Sequence, residues 1–292
     1  MNRSKPERAG FYYNLGVAYY ALGQFESAIE GYDEAVRSNP EYSEAYHNRG
    51  NVYHDLGKNE RAIEDYDQAV QHNPEYSAAY NNRGIAYYDL GEHWRAINDY
   101  DVAIRINPEY IVAYNNRGNA YRAVGEHGRA IEDYDEAIGL DPGNSAAYNN
   151  RGTAYHALEQ NERAIEDYDE AVRINPEYAA AYSNRGNAYN DLDQHDRAIK
   201  DYDEAIRLDP KDADAYINRG NIFSGMDEYE RAIEDYGAAI LVNPDYSEAY
   251  HNRGVAFHRI GNFEESERDL ARVAELRLKT DDDPSDGDGP GE

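Results

Sequence analysis

Histidine and carboxylate side chains are the residues of this 292-residue chain that could carry out chemistry. There are nine His and 58 Asp and Glu but no Cys, which excludes thiolate nucleophiles, disulfides and cysteine-based zinc sites. His47 and His54 are seven residues apart, as are His251 and His258. On a helix this separation is about 10 Å, which is too long for both imidazoles to bind one metal ion. We therefore predict no metal site and no cofactor.

The other chemically active side chains recur at regular intervals, which favours structural roles. His93, His127 and His195 are separated by 34 and 68 residues, so we predict that they pack between helices. Many carboxylates fall in a recurring motif similar to EDYDE, which is typical of a solvated helix face. The recurring Asn-Arg-Gly steps lie inside predicted helices, so they do not form a phosphate-binding loop. The chain is therefore predicted not to be an enzyme.

The net charge argues against nucleic-acid and membrane partners. Lys and Arg number 29 against 58 Asp and Glu, which gives a formal charge of −29. Binding to nucleic-acid phosphates or to an anionic membrane surface depends mainly on Lys and Arg. Mean hydropathy is −0.98, and no stretch approaches the roughly 18 apolar residues that span a bilayer. With no apolar segment typical of a secretory signal at its start, the chain is expected to be cytoplasmic.

The candidate residues are positioned by an internal repeat of 34 residues. Its spacing is marked by seven prolines, which are Pro40, Pro74, Pro108, Pro142, Pro176, Pro210 and Pro244. The pattern predicts eight consecutive repeats, at residues 9–42, 43–76, 77–110, 111–144, 145–178, 179–212, 213–246 and 247–280. A short polar segment precedes them at residues 1–8. An acidic tail, which we predict to be disordered, follows at residues 281–292.

Each repeat is predicted to contain two helices. In the second repeat, Tyr46, Gly50 and Tyr53 are spaced by four and three residues, which is a helical stripe. Gly57 interrupts this pattern, and a second apolar stripe then continues until Pro74 ends it. Gly within a helix costs about 1 kcal/mol relative to Ala, so its recurrence indicates close contact between helices. Such a helix pair cannot bury its apolar face alone and must stack on its neighbours.

The pattern resembles that of the tetratricopeptide repeat family over residues 9–280. The residues that carry the resemblance in the fourth repeat are Tyr114, Gly118, Tyr121, Ala130, Tyr134, Ala137 and Pro142. The resemblance implies an all-α fold, an α-solenoid in which eight antiparallel helix pairs form a right-handed superhelix. The last repeat, with Leu278 in place of the proline, would supply a long C-terminal capping helix. The first helix of each pair would line a concave groove, and members of the family are mostly peptide- and protein-binding scaffolds.

Arginine and aspartate recur at two positions of the repeat. Position 7, which is usually aliphatic in the family, is Arg in seven repeats: Arg49, Arg83, Arg117, Arg151, Arg185, Arg219 and Arg253. Position 23 is Asp in the same seven: Asp65, Asp99, Asp133, Asp167, Asp201, Asp235 and Asp269. The first repeat lacks both, having Leu15 and Gly31. This parallel change predicts an ion pair within each repeat, although a pair one helical turn apart, such as Arg61 with Asp65, is an alternative.

Asparagine occupies position 6 of all eight repeats. These residues are Asn14, Asn48, Asn82, Asn116, Asn150, Asn184, Asn218 and Asn252. Asn is a mediocre helix former, so its recurrence indicates either a structural role or a binding role. In the array of O-GlcNAc transferase, which this array resembles, a ladder of such asparagines faces the groove and holds a peptide backbone. An amide suits that task because it both donates and accepts hydrogen bonds.

Further candidates for the groove follow from the geometry of the family, which implies that positions 2, 5, 9, 12 and 13 of each repeat face the groove. They are Asn51, Asn119, Asn187, Asn221, His47, His54, Tyr88 and Arg122. Only Arg122 and Arg259 are basic among the groove positions. Family members that clamp the acidic terminus of heat-shock chaperones use Lys and Arg there, so that function is not expected. The polar, aromatic and mildly acidic surface instead favours a partner of neutral or basic character.

We therefore predict a non-enzymatic adaptor for protein–protein interaction, with an extended peptide or partner protein in the groove. The alternative is a structural scaffold that self-assembles as a homo-oligomer or serves as a subunit of a larger complex. A monomer whose mass does not change with concentration would favour the adaptor.

Overall fold

The computed structural model describes residues 5–281, with side chains described from residue 5 to residue 278. The described residues form sixteen α-helices joined by short turns and contain no strand. The helices are α1 (Lys5–Ala21), α2 (Phe25–Ser38), α3 (Ser43–Asp55), α4 (Asn59–His72), α5 (Ser77–Asp89), α6 (His93–Ile106), α7 (Ile111–Ala123), α8 (His127–Leu140), α9 (Ser145–Ala157), α10 (Asn161–Ile174), α11 (Ala179–Asp191), α12 (His195–Leu208), α13 (Ala213–Gly225), α14 (Tyr229–Val242), α15 (Ser247–Arg259) and α16 (Phe263–Asp281).

The helices alternate as the first and second helices of the eight predicted repeats. In the second repeat, α3 and α4 are joined through Gly57, whose φ of 68° is left-handed. Glycine adopts this conformation without a steric penalty, so it reverses the chain between the two helices. The fifth, sixth and seventh repeats make the same turn with Glu159, Asp193 and Asp227, at φ of 58°, 56° and 60°. The helix pair predicted for each repeat is therefore confirmed.

The core of most repeats lies where a tyrosine of the second helix covers the glycine of the first helix. A Cβ on Gly50 would lie 2.7 Å from the ring of Tyr66, closer than real Cβ contacts allow. Ala62 and Ala69, on the same helix as the tyrosine, are fully buried. The mid-helix glycine is thus required by the tyrosine ring, which offsets its cost in helix propensity through burial.

The chain divides into two compact blocks, Met1–Ala154 (the N-terminal block) and Tyr155–Glu292 (the C-terminal block). In the N-terminal block, α1 to α8 pack in sequence order, and the first helices α1, α3, α5 and α7 also contact one another in turn. In the C-terminal block, α10 to α16 pack in the same manner, with α11, α13 and α15 in contact. Each block therefore has the stacked helix pairs of an α-solenoid, which confirms the predicted fold class.

The two ends of the array differ from the internal repeats. Helix α1 begins at Lys5, so it includes residues 5–8 of the predicted polar segment. Helix α16 is the longest, with 19 residues, and buries Val273 and Leu276. It is the long amphipathic helix that we predicted for this end. Beyond Asp281, the predicted disordered tail lies outside the described residues.

Candidate binding surface

Arginine–aspartate pairs join the two helices of a repeat. In the third repeat, Arg83 donates from Nε and Nη2 to Asp99 at 2.7 and 2.6 Å. Equivalent pairs are Arg49–Asp65, Arg117–Asp133, Arg185–Asp201, Arg219–Asp235 and Arg253–Asp269. The predicted ion pair within the repeat is confirmed. The alternative is wrong, because Arg61 donates to the hydroxyl of Tyr53 at 2.6 Å instead.

Most of these arginines also hold the preceding repeat, a contact that we did not predict from the sequence. Arg83 donates from Nη1 to Asp67 of α4 at 2.6 Å. The other contacts of this kind are Arg49–Asp33, Arg117–Asp101, Arg151–Asp135, Arg185–Asp169 and Arg219–Asp203. Among the described carboxylates Arg253 is bonded to Asp269 alone, because Gly237 stands where the first six repeats have this aspartate.

The arginine–aspartate pairs are structural rather than available to a partner. The side chain of Asp99 is 8% exposed and that of Arg83 is 17% exposed. Burial raises the pKa of Asp99, and the hydrogen bonds from Arg83 offset part of this effect. Removing one member would leave the other charge buried and unpaired, which is costly.

The position-6 asparagines bridge adjacent repeats. Nδ2 of Asn82 donates to Oδ1 of Asn51 at 2.9 Å, and Nδ2 of Asn48 donates to the hydroxyl of Tyr13 at 3.0 Å. The same kind of bond joins Asn116 to Asn81, Asn218 to Asn187 and Asn252 to Asn221. The remaining members are Asn150 and Asn184, which are half-buried, and Asn14, which is exposed. These contacts favour the structural interpretation for the five bridging asparagines, because their amide hydrogens are engaged between repeats.

Position 9 of the repeat is asparagine in four repeats, and these position-9 asparagines are oriented by the buried tyrosines beneath them. The hydroxyl of Tyr66 donates to Oδ1 of Asn51 at 2.8 Å. The same bond joins Tyr134 to Asn119, Tyr202 to Asn187 and Tyr236 to Asn221. Because Oδ1 accepts the hydroxyl, the Nδ2 group of each asparagine is the part left to bind something else. No hydrogen bond of Nδ2 to another described residue is formed by these four asparagines.

Polar pairs connect the ends of successive first helices. Nε2 of His54 lies 2.8 Å from Asp89 of the next repeat, and Nε2 of His156 lies 2.8 Å from Asp191. The hydroxyl of Tyr20 donates to Asp55 at 2.5 Å. These carboxylates have no Lys or Arg partner in the described part of the chain. They therefore give the ends of these first helices negative charge that no described Lys or Arg neutralises.

A cavity of about 240 Å³ lies in the N-terminal block beside these pairs. It is lined by Tyr20, Asn51, His54, Asp55, Tyr66, Asn82 and Ile85. Six of these seven side chains are polar, and they come from the first three repeats of the chain. We call this cavity the Asp55 pocket.

The three remaining candidates occupy different environments. His47 is only 8% exposed and lies within hydrogen-bonding distance of Asn48, Tyr76 and Asn82, which places it within the packed interface between repeats. Burial also lowers the pKa of His47, which keeps the ring neutral. Tyr88 packs against His93 with ring centres 4.9 Å apart. Arg122 lies close enough to Tyr134 to offset part of the rise that burial causes in the pKa of that tyrosine.

The described residues contain no cluster of three potential metal ligands. None of the described helices is both long and apolar enough to cross a membrane. His47 takes part in hydrogen bonds and His93 in a ring contact with Tyr88.

Comparison with family models identifies the repeats along most of the chain. A model described as TPR repeat matches residues 16–57, 50–91, 153–193 and 186–227. A second, described as tetratricopeptide repeat, matches residues 77–110, 111–144 and 213–246. Two further models with that description match residues 133–166 and 247–280. No curated protein matches the chain.

Several solved structures are similar to this chain. A tetratricopeptide repeat protein from Parabacteroides merdae has 21% identity and a TM-score of 0.69, covering 86% of this chain and 99% of its own. MamA has 29% identity and a TM-score of 0.54, covering 59% of this chain and 94% of its own. YrrB, described as a TPR protein with an unusual peptide-binding site, has 26% identity and a TM-score of 0.51, covering 65% and 97%.

Proposed function

The chain belongs to the tetratricopeptide repeat family, and from this premise we propose that it is a non-enzymatic adaptor. Its partner would be an extended peptide, or an extended segment of another protein, that lies along the concave face of the first helices. Fold alone does not identify function, so the proposal rests on the side chains of that face. It assigns no catalytic step to any residue.

The observation that carries the proposal is the row of oriented position-9 amides. In the N-terminal block, Asn51 and Asn119 each accept a hydrogen bond from a buried tyrosine, which directs their Nδ2 donors away from the core. Carbonyl groups of an extended backbone are suitable acceptors for such donors, whatever the side chains of the peptide. We assign the position-6 asparagines, including Asn116, to holding the repeats in register. The similar protein YrrB is itself described as binding peptide.

The charge of this face favours a neutral or basic partner. In the N-terminal block the acidic residues at first-helix groove positions are Glu44, Asp55 and Asp89, and the basic one is Arg122. Partners of negative charge would be repelled, and the net charge of −29 adds to that effect over distances of about 8 Å at physiological salt. A basic segment would also associate faster.

The proposal is tested with a library of random 12-residue peptides displayed on phage and selected on the immobilised chain. We expect a family of sequences to be enriched, and the best synthetic peptide is then titrated by calorimetry. Asn119→Asp keeps the acceptor for Tyr134 but removes the donor, so affinity should fall about threefold to tenfold.

Asn116→Asp is the matched control, since it makes the same chemical change one helical turn away. It removes the donor that binds Asn81, so it should lower the melting temperature and leave affinity nearly unchanged. The reverse result, in which Asn116→Asp weakens binding and Asn119→Asp does not, would assign the backbone contact to the position-6 asparagines. If no peptide is enriched, the proposed function is wrong.

A further inference from the structure

One carboxylate, that of Asp55, lines the Asp55 pocket, and a second, that of Asp89, lies outside the lining against His54. Asp55 accepts a hydrogen bond from Tyr20, and Asp89 is paired with His54, which lines the pocket. Neither aspartate forms an ion pair with a described Lys or Arg. By contrast, the aspartates of the second helices are paired with arginines, as Asp67 is with Arg83. The negative charge at the pocket is therefore available to a positively charged group of a bound partner.

The hydrogen bonds of the pocket leave mainly acceptors free. In the tautomer of His54 that donates from Nε2 to Asp89, Nδ1 is an acceptor, and it lies 3.9 Å from Oδ1 of Asp55. Tyr66 uses its hydroxyl hydrogen on Asn51, so its oxygen can also accept. The carboxylate of Asp55, Nδ1 of His54 and the oxygen of Tyr66 thus supply three acceptors. They match the three hydrogens of an ammonium group, or three of the five donors of a guanidinium.

The size of the pocket corresponds to one side chain. Its volume of about 240 Å³ is below the range of about 300–1,000 Å³ typical of small-molecule sites. The side chains of Asp55 and Asp89 are 40% and 41% exposed, so an aliphatic stem could cross the pocket while its charged end reaches the carboxylates. A small metal ion is less suitable, because the described residues hold no cluster of three ligands.

We propose that the Asp55 pocket is the subsite for a Lys or Arg side chain of the segment bound by this adaptor. The inference rests on the proposed function and adds to it the chemistry of one position of the ligand. Asp55 and Asp89 supply the charge, and His54 and Tyr66 supply acceptors. The amide of Asn51 binds the backbone beside the basic residue.

The single groove arginine of the N-terminal block gives the bound segment a charge pattern. Arg122 lies in the fourth repeat, two repeats beyond Asp55, and has no carboxylate partner in the described chain. Its Nε is buried without a hydrogen bond. At about 8–10 Å between neighbouring helices and about 3.3 Å per extended residue, an acidic residue of the segment would lie about five or six positions from the basic one.

The experiment compares three forms of the full chain with the same 12-residue phage library. The test variant is Asp55→Asn with Asp89→Asn. The control variant is Asp191→Asn with Asp214→Asn in the C-terminal block, where Asp191 is likewise paired with a histidine and Asp214 with the hydroxyl of Tyr246. Both variants lose two carboxylates, so they change the net charge equally.

We expect the wild-type chain to enrich peptides with Lys or Arg at one fixed position. The control variant should enrich the same peptides, whereas the test variant should bind peptides that lack this preference. For the best peptide, affinity should fall about tenfold to hundredfold in the test variant, and Lys→Ala in the peptide should cause the same loss. The two losses should not add. Arg122→Gln should abolish only the preference for an acidic residue.

Two outcomes would overturn the inference while the proposed function stands. In the first, the wild-type chain enriches peptides without a fixed basic residue. In the second, the test variant keeps the preference for Lys or Arg. A selection that enriches no peptide would overturn both the proposed function and this inference. Circular dichroism of each variant checks that the helices remain intact.

Discussion

At the scale of single residues, position 9 determines whether the buried tyrosine of a repeat has an acceptor. Asn51 accepts the hydroxyl of Tyr66, but the first repeat has Val17 at this position. The hydroxyl of Tyr32 is accordingly buried without an acceptor, although the amide of Asn48 lies near it. A buried, unsatisfied hydroxyl destabilises the fold, because its hydrogen bonds to water are lost on folding.

The first prediction is that Val17→Asn stabilises the protein. The new amide would accept the hydroxyl of Tyr32, and the free energy of unfolding should rise by about 0.5–1.5 kcal/mol. Val and Asn have similar helix propensities, so the backbone contributes little. Urea denaturation measures the change.

Val255→Asn is the control for this prediction. Val255 is 40% exposed and Val17 is 38% exposed, so the two sites have nearly equal solvation. The eighth repeat has Leu270 in place of the buried tyrosine, so the new amide meets no tyrosine hydroxyl of its own repeat. Equal stabilisation by both substitutions would show that the hydroxyl of Tyr32 is not the cause.

The second prediction concerns alkaline pH. Burial raises the pKa of Tyr236 to about 12, and it raises the pKa of Tyr66 and Tyr100 further. In the unfolded chain a tyrosine has a pKa of about 10. A pKa that is higher in the folded state means that stability is complete below pH 10 and is lost as the pH rises from 10 towards 12 and above. Helical circular dichroism and tyrosinate absorbance should therefore change together in this interval. Full ionisation of all tyrosines while the helices remain intact would contradict the prediction.

At the scale of helices, one arginine connects three helices. Arg219 on α13 donates to Asp235 on α14 of its own repeat and to Asp203 on α12 of the preceding one. Arg253 lacks the second contact, because the seventh repeat has Gly237 where an aspartate would bind it. A Cβ built on Gly237 would lie 3.6 Å from Nη1 of Arg253, so a side chain at this position would be within reach of the arginine. The contact between the seventh and eighth repeats is therefore missing one ion pair.

The third prediction is that Gly237→Asp restores this ion pair. Gly237→Asn is the matched control, because Asn and Asp have nearly equal size and helix propensity. The Asp variant should be more stable than the Asn variant by about 0.5 kcal/mol, a small value because the equivalent Asp203 is half exposed. The difference should shrink at 1 M salt, where charges are screened within about 3 Å. Equal stabilities at low salt would contradict the prediction.

The helices also explain which features could be predicted from the sequence. Apolar periodicity and the 34-residue spacing assign each residue to a helix, because both depend on contacts within a repeat. The depth of a side chain depends on the next repeat and could not be predicted in this way. His47 and His54 share one face of α3, but Tyr76 and Asn82 of the following turn and helix cover only His47. For the same reason, Asp33 could not be assigned to Arg49 from the sequence.

At the scale of the whole molecule, the two ends of the array lack the residues that join internal repeats. An end-to-end contact between copies would place the eighth repeat of one chain before the first repeat of the next. The aspartate position of that contact is Ala271 and the arginine position is Leu15. Phe11 and Leu278 are exposed near these ends, but single exposed apolar residues are common on monomeric proteins.

The last prediction is that the protein is a monomer whose mass does not change with concentration in light scattering. Leu15→Arg combined with Ala271→Asp would supply at the ends the charges that connect each internal repeat to the next. One such exposed pair contributes only about 0.5 kcal/mol, much less than association costs, so this double variant should also stay monomeric, as should Leu15→Asp with Ala271→Asp, which places like charges together. Concentration-dependent assembly of the wild-type chain would instead favour the self-assembling scaffold. The adaptor requires the first-helix face to remain open, and ends that do not bind one another keep each copy free to hold its own partner.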